Sequence, residues 1–237
     1  TDPACLPEVD RWAQHWSYYL IEASVELAEK YGHCPYSDQT KYHTGVLPVD
    51  TYKKDVDELV PHKDQVDWTG LRARLKKSGI RNSTLMALMP AETSAQISNS
   101  TNGVEPPRSF VSIKQSKHGA LKQVVPEYRR LKNKYELLWN QKSPEGYLKI
   151  MAVLQKYIDQ GISVNTSYNP AFYEDEKIPM SELIKHIVMF YKYGGKQLYY
   201  NNTHDGQGEI DVDRDVADPV EADVQEELEE DCESCKI

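Results

Sequence analysis

Three short runs in the 237-residue chain hold residue types and spacings that could do chemistry. The first is Met89-Pro90-Ala91-Glu92-Thr93-Ser94-Ala95-Gln96, where an apolar run is followed by a hydroxyl-rich helix start. Free N–H groups at such a start, joined by the Thr93 and Ser94 hydroxyls, can hold an anion. The same residues can equally serve as a plain helix cap, their commonest use. Glu92 would oppose an anion and needs another role there, such as a hydrogen bond to a sugar hydroxyl. The second run is Leu198-Tyr199-Tyr200-Asn201-Asn202-Thr203. Adjacent side chains on a strand point to opposite faces, so one buried and one exposed tyrosine is the plain expectation. The third is Cys232-Glu233-Ser234-Cys235 at the end of the chain. Two accessible thiols that close a small ring exchange disulfides readily. Half of a zinc site is the alternative, but only Cys5, Cys34 and scattered histidines remain to complete it. Cys34, in Gly32-His33-Cys34-Pro35, reads as a buried structural thiol.

The elements that would position these runs follow from periodicity and punctuation. Apolar residues from Val9 to Leu27 recur at helical spacing, and Gly32 supplies a stop. Asp50 to Leu59 reads as a short helix, and Trp68 to Lys77 as a basic amphipathic helix closed by Gly79. Thr84 to Pro90 is a short apolar run ended by proline, which predicts a buried strand leading into a helix from Glu92 to Ser98. Phe110 to Ile113 and Val124-Val125 are strand candidates. Glu127 to Asn140 and Gly146 to Gly161 carry helical periodicity. Ile162 to Thr166 reads as a strand, Met180 to Tyr193 as a helix capped by Ser181 and stopped by Gly194-Gly195, and Lys196 to Asn201 as a last strand. Alternating strands and helices without a repeat predict an α/β fold.

Composition sets the limits. A hydrophobic fraction of 39% with 16 tyrosines supports a real core. No apolar run approaches the ~20 residues that cross a bilayer. The formal net charge is −9, yet 14 acidic and two basic residues lie after His204, so the body carries about +3 and the end about −12. That imbalance argues against a general nucleic-acid binder. It fits a folded unit over residues 1–204 followed by a solvated, flexible acidic tail over 205–237. Four cysteines without a disulfide framework point to a reducing, cytoplasmic setting. The start, Thr1-Asp2-Pro3-Ala4-Cys5, has neither a signal-peptide pattern nor an initiator methionine, which suggests a chain cut from a longer one.

The continuous run from Arg81 to Arg108, centred on Pro90-Ala91-Glu92-Thr93-Ser94, resembles the large, catalytic subunit of class Ia ribonucleotide reductases, most nearly the bacterial and T-even-phage type. The likeness extends from about Trp16 to Asp205, through Leu47-Pro48-Val49-Asp50-Thr51-Tyr52-Lys53-Lys54 and Ile162-Ser163-Val164-Asn165-Thr166. It implies the C-terminal portion of a ten-stranded α/β barrel. It also implies that Pro90, Ala91, Glu92, Thr93 and Ser94 bind the diphosphate of a ribonucleoside diphosphate substrate. Tyr199 and Tyr200 match the tyrosine pair that carries a radical inward from the small (beta) subunit. Such stepwise oxidation requires phenols close together, because a single hop over tens of ångströms is too slow.

Cys232 and Cys235 match the tail pair that reduces the active-site disulfide and is itself reduced by thioredoxin or glutaredoxin. A flexible segment of 30 residues reaches roughly 30 Å, enough to swing into an active site. None of the four cysteines matches the family's thiyl-radical cysteine, and no Asn-x-Cys-x-Glu occurs. The resemblance therefore implies either a partial sequence from a longer gene or a split-gene product that docks on a separate N-terminal large-subunit portion; the missing portion would also bind the allosteric nucleotides (ATP and dNTPs). The diiron-tyrosyl radical cofactor would sit on the small subunit, and this chain would bind no metal. An incomplete barrel exposes strand edges and apolar surface, so the chain alone is expected to be unstable or sticky. The competing readings are a non-catalytic redox or interaction module built around Cys232 and Cys235, and a decoy that binds the small subunit.

Overall fold

A computed structural model describes residues 2–116 and 119–204; within the described span, the side chains of Glu92, Thr93, 114–116 and 119–121 are not described. Cys232 and Cys235, expected to form a redox pair, therefore lie outside the described residues.

The longest helix, α1 (Leu6–Tyr31), ends at Gly32, whose φ of +82° a side chain would resist. Its buried face coincides only in part with the apolar positions between Val9 and Leu27. Ala13, Ile21, Val25 and Ala28 face inward together with Asp10, Gln14, Ser17 and Ser24, while Trp12, Trp16, Tyr19 and Leu27 are exposed. The polar inward face is matched from across the core. Lys156, fully buried, donates to Asp10 Oδ1 at 2.7 Å, and the Tyr157 hydroxyl donates to the same oxygen at 2.9 Å. A buried ammonium tolerates burial only when paired in this way.

The predicted helix from Asp50 to Leu59 divides into α2 (Pro48–Thr51) and a 3-10 turn over Lys54–Glu58. In α2, Asp50 Oδ2 accepts from the Leu47 N–H, and Arg72 grips the same carboxylate at 2.7 and 2.8 Å. Arg72 lies on α3 (Trp68–Ser78), which Asp67 caps through the Gly70 N–H. Leu71 and Leu75 of α3 join Ile21, Val25, Leu148 and Met151 in one core cluster.

Thr84 to Pro90 runs extended beside the later sheet but makes only one ladder bridge, Leu88 to Ile162. Its neighbouring backbone groups are held by a side chain instead, as described below. It leads into the short helix α4 (Glu92–Ile97), near its expected span. Two strands then pair antiparallel, β1 (Val111–Ser116) and β2 (Gly119–Val124), with Val111 opposite Val124.

The expected helix from Glu127 to Asn140 does not form. One turn, α5 (Tyr128–Leu131), is followed by 3-10 turns at Lys132–Lys134 and Leu138–Asn140. Glu127 takes a left-handed φ of +51°, and the Tyr135 hydroxyl folds back onto the Pro126 carbonyl. A continuous helix would also stack Arg130 on Lys134 one turn apart, a like-charge pair that opposes helix formation.

Helix α6 (Glu145–Gln155) stops well before Gly161 because Gln155 turns the chain with its own amide. Its Nε2 donates to the Ile158 and Gln160 carbonyls, and its Oε1 accepts from the Ile162 N–H. β3 (Val164–Tyr168) follows, then α7 (Met180–Lys192) and β4 (Leu198–Thr203), which pairs parallel with β3. Ser181 does not cap α7. Pro179 occupies the cap position, makes no side-chain cap bond, and Ser181 lies inside the first turn. Gly194, at φ +90°, and Gly195 close the helix as expected, the Gly195 N–H reaching the Phe190 carbonyl. Only His186 and Phe190 of α7 are buried; Ile184, Ile187, Val188 and Tyr191 face outward. Among the described residues no helix is long and apolar enough to cross a membrane.

Candidate functional site

The parallel arrangement of the 84–90 segment, β3 and β4 brings two of the three candidate runs to one sheet region. The segment before Pro90 is positioned by Asp159, at the turn that leaves α6. Its carboxylate accepts from the Leu85 N–H (2.8 Å), the Met86 N–H (3.0 Å) and the Tyr42 hydroxyl (2.9 Å). Burial pushes the Tyr42 phenol far up, with the Asp159 charge adding to it, so this hydroxyl is a permanent donor. The Met86 and Leu88 carbonyls accept from Gln160 and Ser163. Together these bonds satisfy a run that lacks a full ladder.

Beyond Leu88 the chain bends through Pro90 and Ala91 into α4. The Ala91 N–H donates to Asn102 Oδ1 at 2.7 Å, which ties the start of α4 to the loop that follows it. Gly103 lies so close to the Met89 carbonyl, at φ +61°, that a side chain there would be strained and crowded. Gln123 on β2 holds the other end of the helix by donating to the Ala95 and Ser100 carbonyls. Ser94 is exposed, and its hydroxyl lies 3.4 Å from the Ala91 carbonyl. The backbone of Glu92 and Thr93 forms the first turn of α4; the roles expected of their side chains lie outside the described atoms.

The tyrosine pair departs from the strand expectation. Tyr199 and Tyr200 are both exposed, 54% and 58%, so neither is the buried partner. Their ring centroids are 4.0 Å apart, and the Tyr199 hydroxyl donates to that of Tyr200 at 3.1 Å. The cause is a register shift. Val164 pairs with Leu198 but Thr166 with Asn201, so Asn165 alone faces both tyrosines across a bulge. A bulge re-aims side chains that a regular pleat would send to opposite faces.

Asn165, 7% exposed, holds the bulge directly. Its Oδ1 accepts from the Tyr200 N–H at 3.0 Å, and its Nδ2 donates to Glu105. Glu105 lies two residues after Gly103, so one loop touches the start of α4 through Asn102 and the tyrosine bulge through Asn165. Sequence reasoning did not single out Asp159, Asn102, Glu105 or Asn165. Asp159, Asn102 and Asn165 each capture a backbone N–H of another segment and Glu105 orients the Asn165 amide, which leaves no local pattern.

A cleft of about 730 Å3 opens elsewhere, between Tyr52, Lys53, Asp159, Tyr193 and Lys196; none of Pro90 to Ser94, Tyr199 or Tyr200 lines it. Cys34 is buried, as expected of a structural thiol, and its N–H donates to the Ile80 carbonyl. Among the described residues no group of three or more His, Cys, Asp or Glu could hold a metal ion.

The model of the ribonucleotide reductase barrel domain matches residues 8–141 and 128–201. The chain belongs to this ribonucleotide reductase barrel-domain family. It is similar to the ribonucleoside-diphosphate reductase alpha subunits of Haemophilus influenzae (51% identical) and Escherichia coli (50%), over 93% of this chain and 28% of each relative. The alpha subunit of Enterobacteria phage T4 is 41% identical over the same shares. The chain thus spans a little over a quarter of the length of the curated relatives it matches.

Proposed function

We propose that the chain serves as the C-terminal part of the large subunit of a ribonucleoside-diphosphate reductase, which reduces ribonucleoside diphosphates to deoxyribonucleoside diphosphates by radical chemistry. The observation that carries this reading is the tyrosine pair. Two adjacent phenols, both exposed and hydrogen-bonded at 3.1 Å, suit stepwise proton-coupled oxidation. In this reading Tyr200 takes the radical from the small subunit, whose diiron-tyrosyl cofactor generates it, and hands it to Tyr199. Pro90, Ala91, Glu92, Thr93 and Ser94 receive the substrate's diphosphate.

Residues 1–204 supply the later strands of the ten-stranded barrel, and 205–237 form an acidic tether. At its end Cys232 and Cys235 bring reducing equivalents from thioredoxin or glutaredoxin to the active-site disulfide. The thiyl-radical cysteine, the allosteric nucleotides and the remaining strands belong to an N-terminal large-subunit portion, and the assembly works in the cytoplasm. The outward apolar residues of α1 and α7 are consistent with burial against such partners.

The test is CDP reduction with dithiothreitol as reductant, run with the chain alone, then with a matching small subunit, then with an N-terminal large-subunit fragment added. Turnover only in the full mixture supports the proposal. No turnover in an assembly shown to form would favour the non-catalytic interaction module instead.

A further inference from the structure

The bulge in β4 has a specific holder. In a regular parallel ladder the Tyr200 N–H would pair with a β3 carbonyl and the two rings would diverge. Here that N–H is bonded to the Asn165 side chain, and Asn165 is fixed in turn by donating to Glu105. Asn165 is 7% exposed and its two amide ends have different partners, so its orientation is determined by the bonds it makes.

We propose that Asn165, oriented by Glu105, is the positioning residue that holds the β4 bulge and thereby keeps the Tyr199 and Tyr200 phenols in contact for radical transfer. The inference rests on the radical-relay reading given above and names what makes that relay geometrically possible. In the inward step, the Tyr200 phenoxyl radical accepts one electron and one proton from Tyr199. The O–H bond of Tyr199 breaks, the O–H bond of Tyr200 forms, and Tyr199 becomes the phenoxyl radical. The oxidant that first forms the Tyr200 radical is the small subunit's tyrosyl radical. The observed Tyr199-to-Tyr200 hydrogen bond lies along the proton's path.

Glu105 adds a link to the substrate side. It sits on the loop whose Asn102 holds the Ala91 N–H, so displacement of the diphosphate-binding turn would be felt at Asn165 and at the tyrosine pair.

The test uses the complete large subunit carrying this segment, assembled with its small subunit. In Asn165→Ala the Tyr200 N–H loses its acceptor, and relaxation toward regular register separates the hydroxyls. Misplacement by about 1 Å costs on the order of 10²-fold in rate. The expected result is a fall in kcat of about that size with the KM for CDP little changed. The expected spectroscopic signature comes from 3-aminotyrosine placed at either tyrosine: its radical still accumulates in place of Tyr200 but no longer in place of Tyr199.

The double variant Asn165→Asp/Glu105→Gln reverses the polarity of the side-chain pair. The new carboxylate accepts from both the Tyr200 N–H and the new amide, so kcat should recover well above the Asn165→Ala level. Unchanged kcat in Asn165→Ala, while Tyr199→Phe and Tyr200→Phe stop turnover, overturns the positioning role and leaves the relay intact. A joint loss of kcat, CDP affinity and thermal stability without rescue in the double variant also overturns it, because that is the pattern of a merely structural residue. Turnover that survives both Tyr→Phe changes overturns the relay reading itself.

Discussion

Replacing Asp159 by asparagine exchanges one acceptor oxygen for an amide nitrogen where three donors converge. In the native structure Oδ2 accepts from the Leu85 N–H and the Tyr42 hydroxyl, and Oδ1 from the Met86 N–H. A hydrogen bond to a charged acceptor contributes about 1.5–3 kcal/mol, and a buried donor left without a partner costs about 1–3 kcal/mol. Asparagine keeps one acceptor oxygen, so at least one backbone N–H must face an NH2 group. The loss is then one charge-assisted bond plus part of a desolvation penalty, about 2–4 kcal/mol at this partly buried site. Because these bonds replace the ladder that the 84–90 segment lacks, the cost should appear as local opening. At 1.4 kcal/mol per decade, exchange of the Leu85 and Met86 amides should speed up by roughly 30- to 700-fold. Hydrogen exchange read by mass spectrometry on a peptide spanning 84–90 measures it, with Tyr42→Phe as a control that removes one donor and costs about 1 kcal/mol. Exchange within about threefold of the wild type would refute the assignment of Asp159 as the anchor of this segment.

Asp10→Ala leaves Lys156 buried with only Asp57 Oδ1, at 3.4 Å, as a carboxylate partner, and should destabilise the chain by about 3–5 kcal/mol in denaturant unfolding. The apolar double variant Asp10→Leu/Lys156→Met should recover most of that loss, and failure to recover would show that the pair's worth lies elsewhere. His186, between Ser143 Oγ (3.1 Å) and the Tyr168 hydroxyl (3.0 Å), is held neutral, because burial lowers its pKa below 6.5 despite Glu182 and Glu145 nearby. The unfolded state therefore takes up the proton first as pH falls through about 6.5, so stability is lost in that window and levels off below the folded pKa. The Tm of the wild type should drop more between pH 8 and pH 5 than that of His186→Gln; equal slopes would exclude His186 as the source. In the proposed assembly Tyr200→Phe should lower CDP turnover by more than about 10²-fold while substrate affinity holds, since only the hydroxyl proposed to relay the radical is removed. Cys232→Ser should abolish thioredoxin-driven turnover but spare turnover driven by dithiothreitol, and equal loss with both reductants would contradict a relay role for the pair.

The chain's own sequence determined the pieces whose signals are local. Gly32, Gly79 and Gly194 stop helices where positive φ is needed, and the periods over 68–77 and 180–193 gave helices close to their expected bounds. The run from Pro90 to Ser94 stands at a helix start, as its residue types require, and its resemblance to the reductase family needed no coordinates. Tertiary structure decided the rest. Which face of α1 turns inward was settled by the buried Lys156 and Tyr157, residues 146 and 147 positions away from Asp10. Gln155 cut α6 short, and Asp159 held the 84–90 run without a ladder across 74 positions. The clearest case is the tyrosine pair. Period-two alternation sends Tyr199 and Tyr200 to opposite faces, and only a bulge held by Asn165, 35 positions earlier, brings their hydroxyls together. Pattern reading registers neighbours two to four residues apart. A side chain that captures a backbone N–H on another strand leaves no such period, so its effect exists only once the strands are in place.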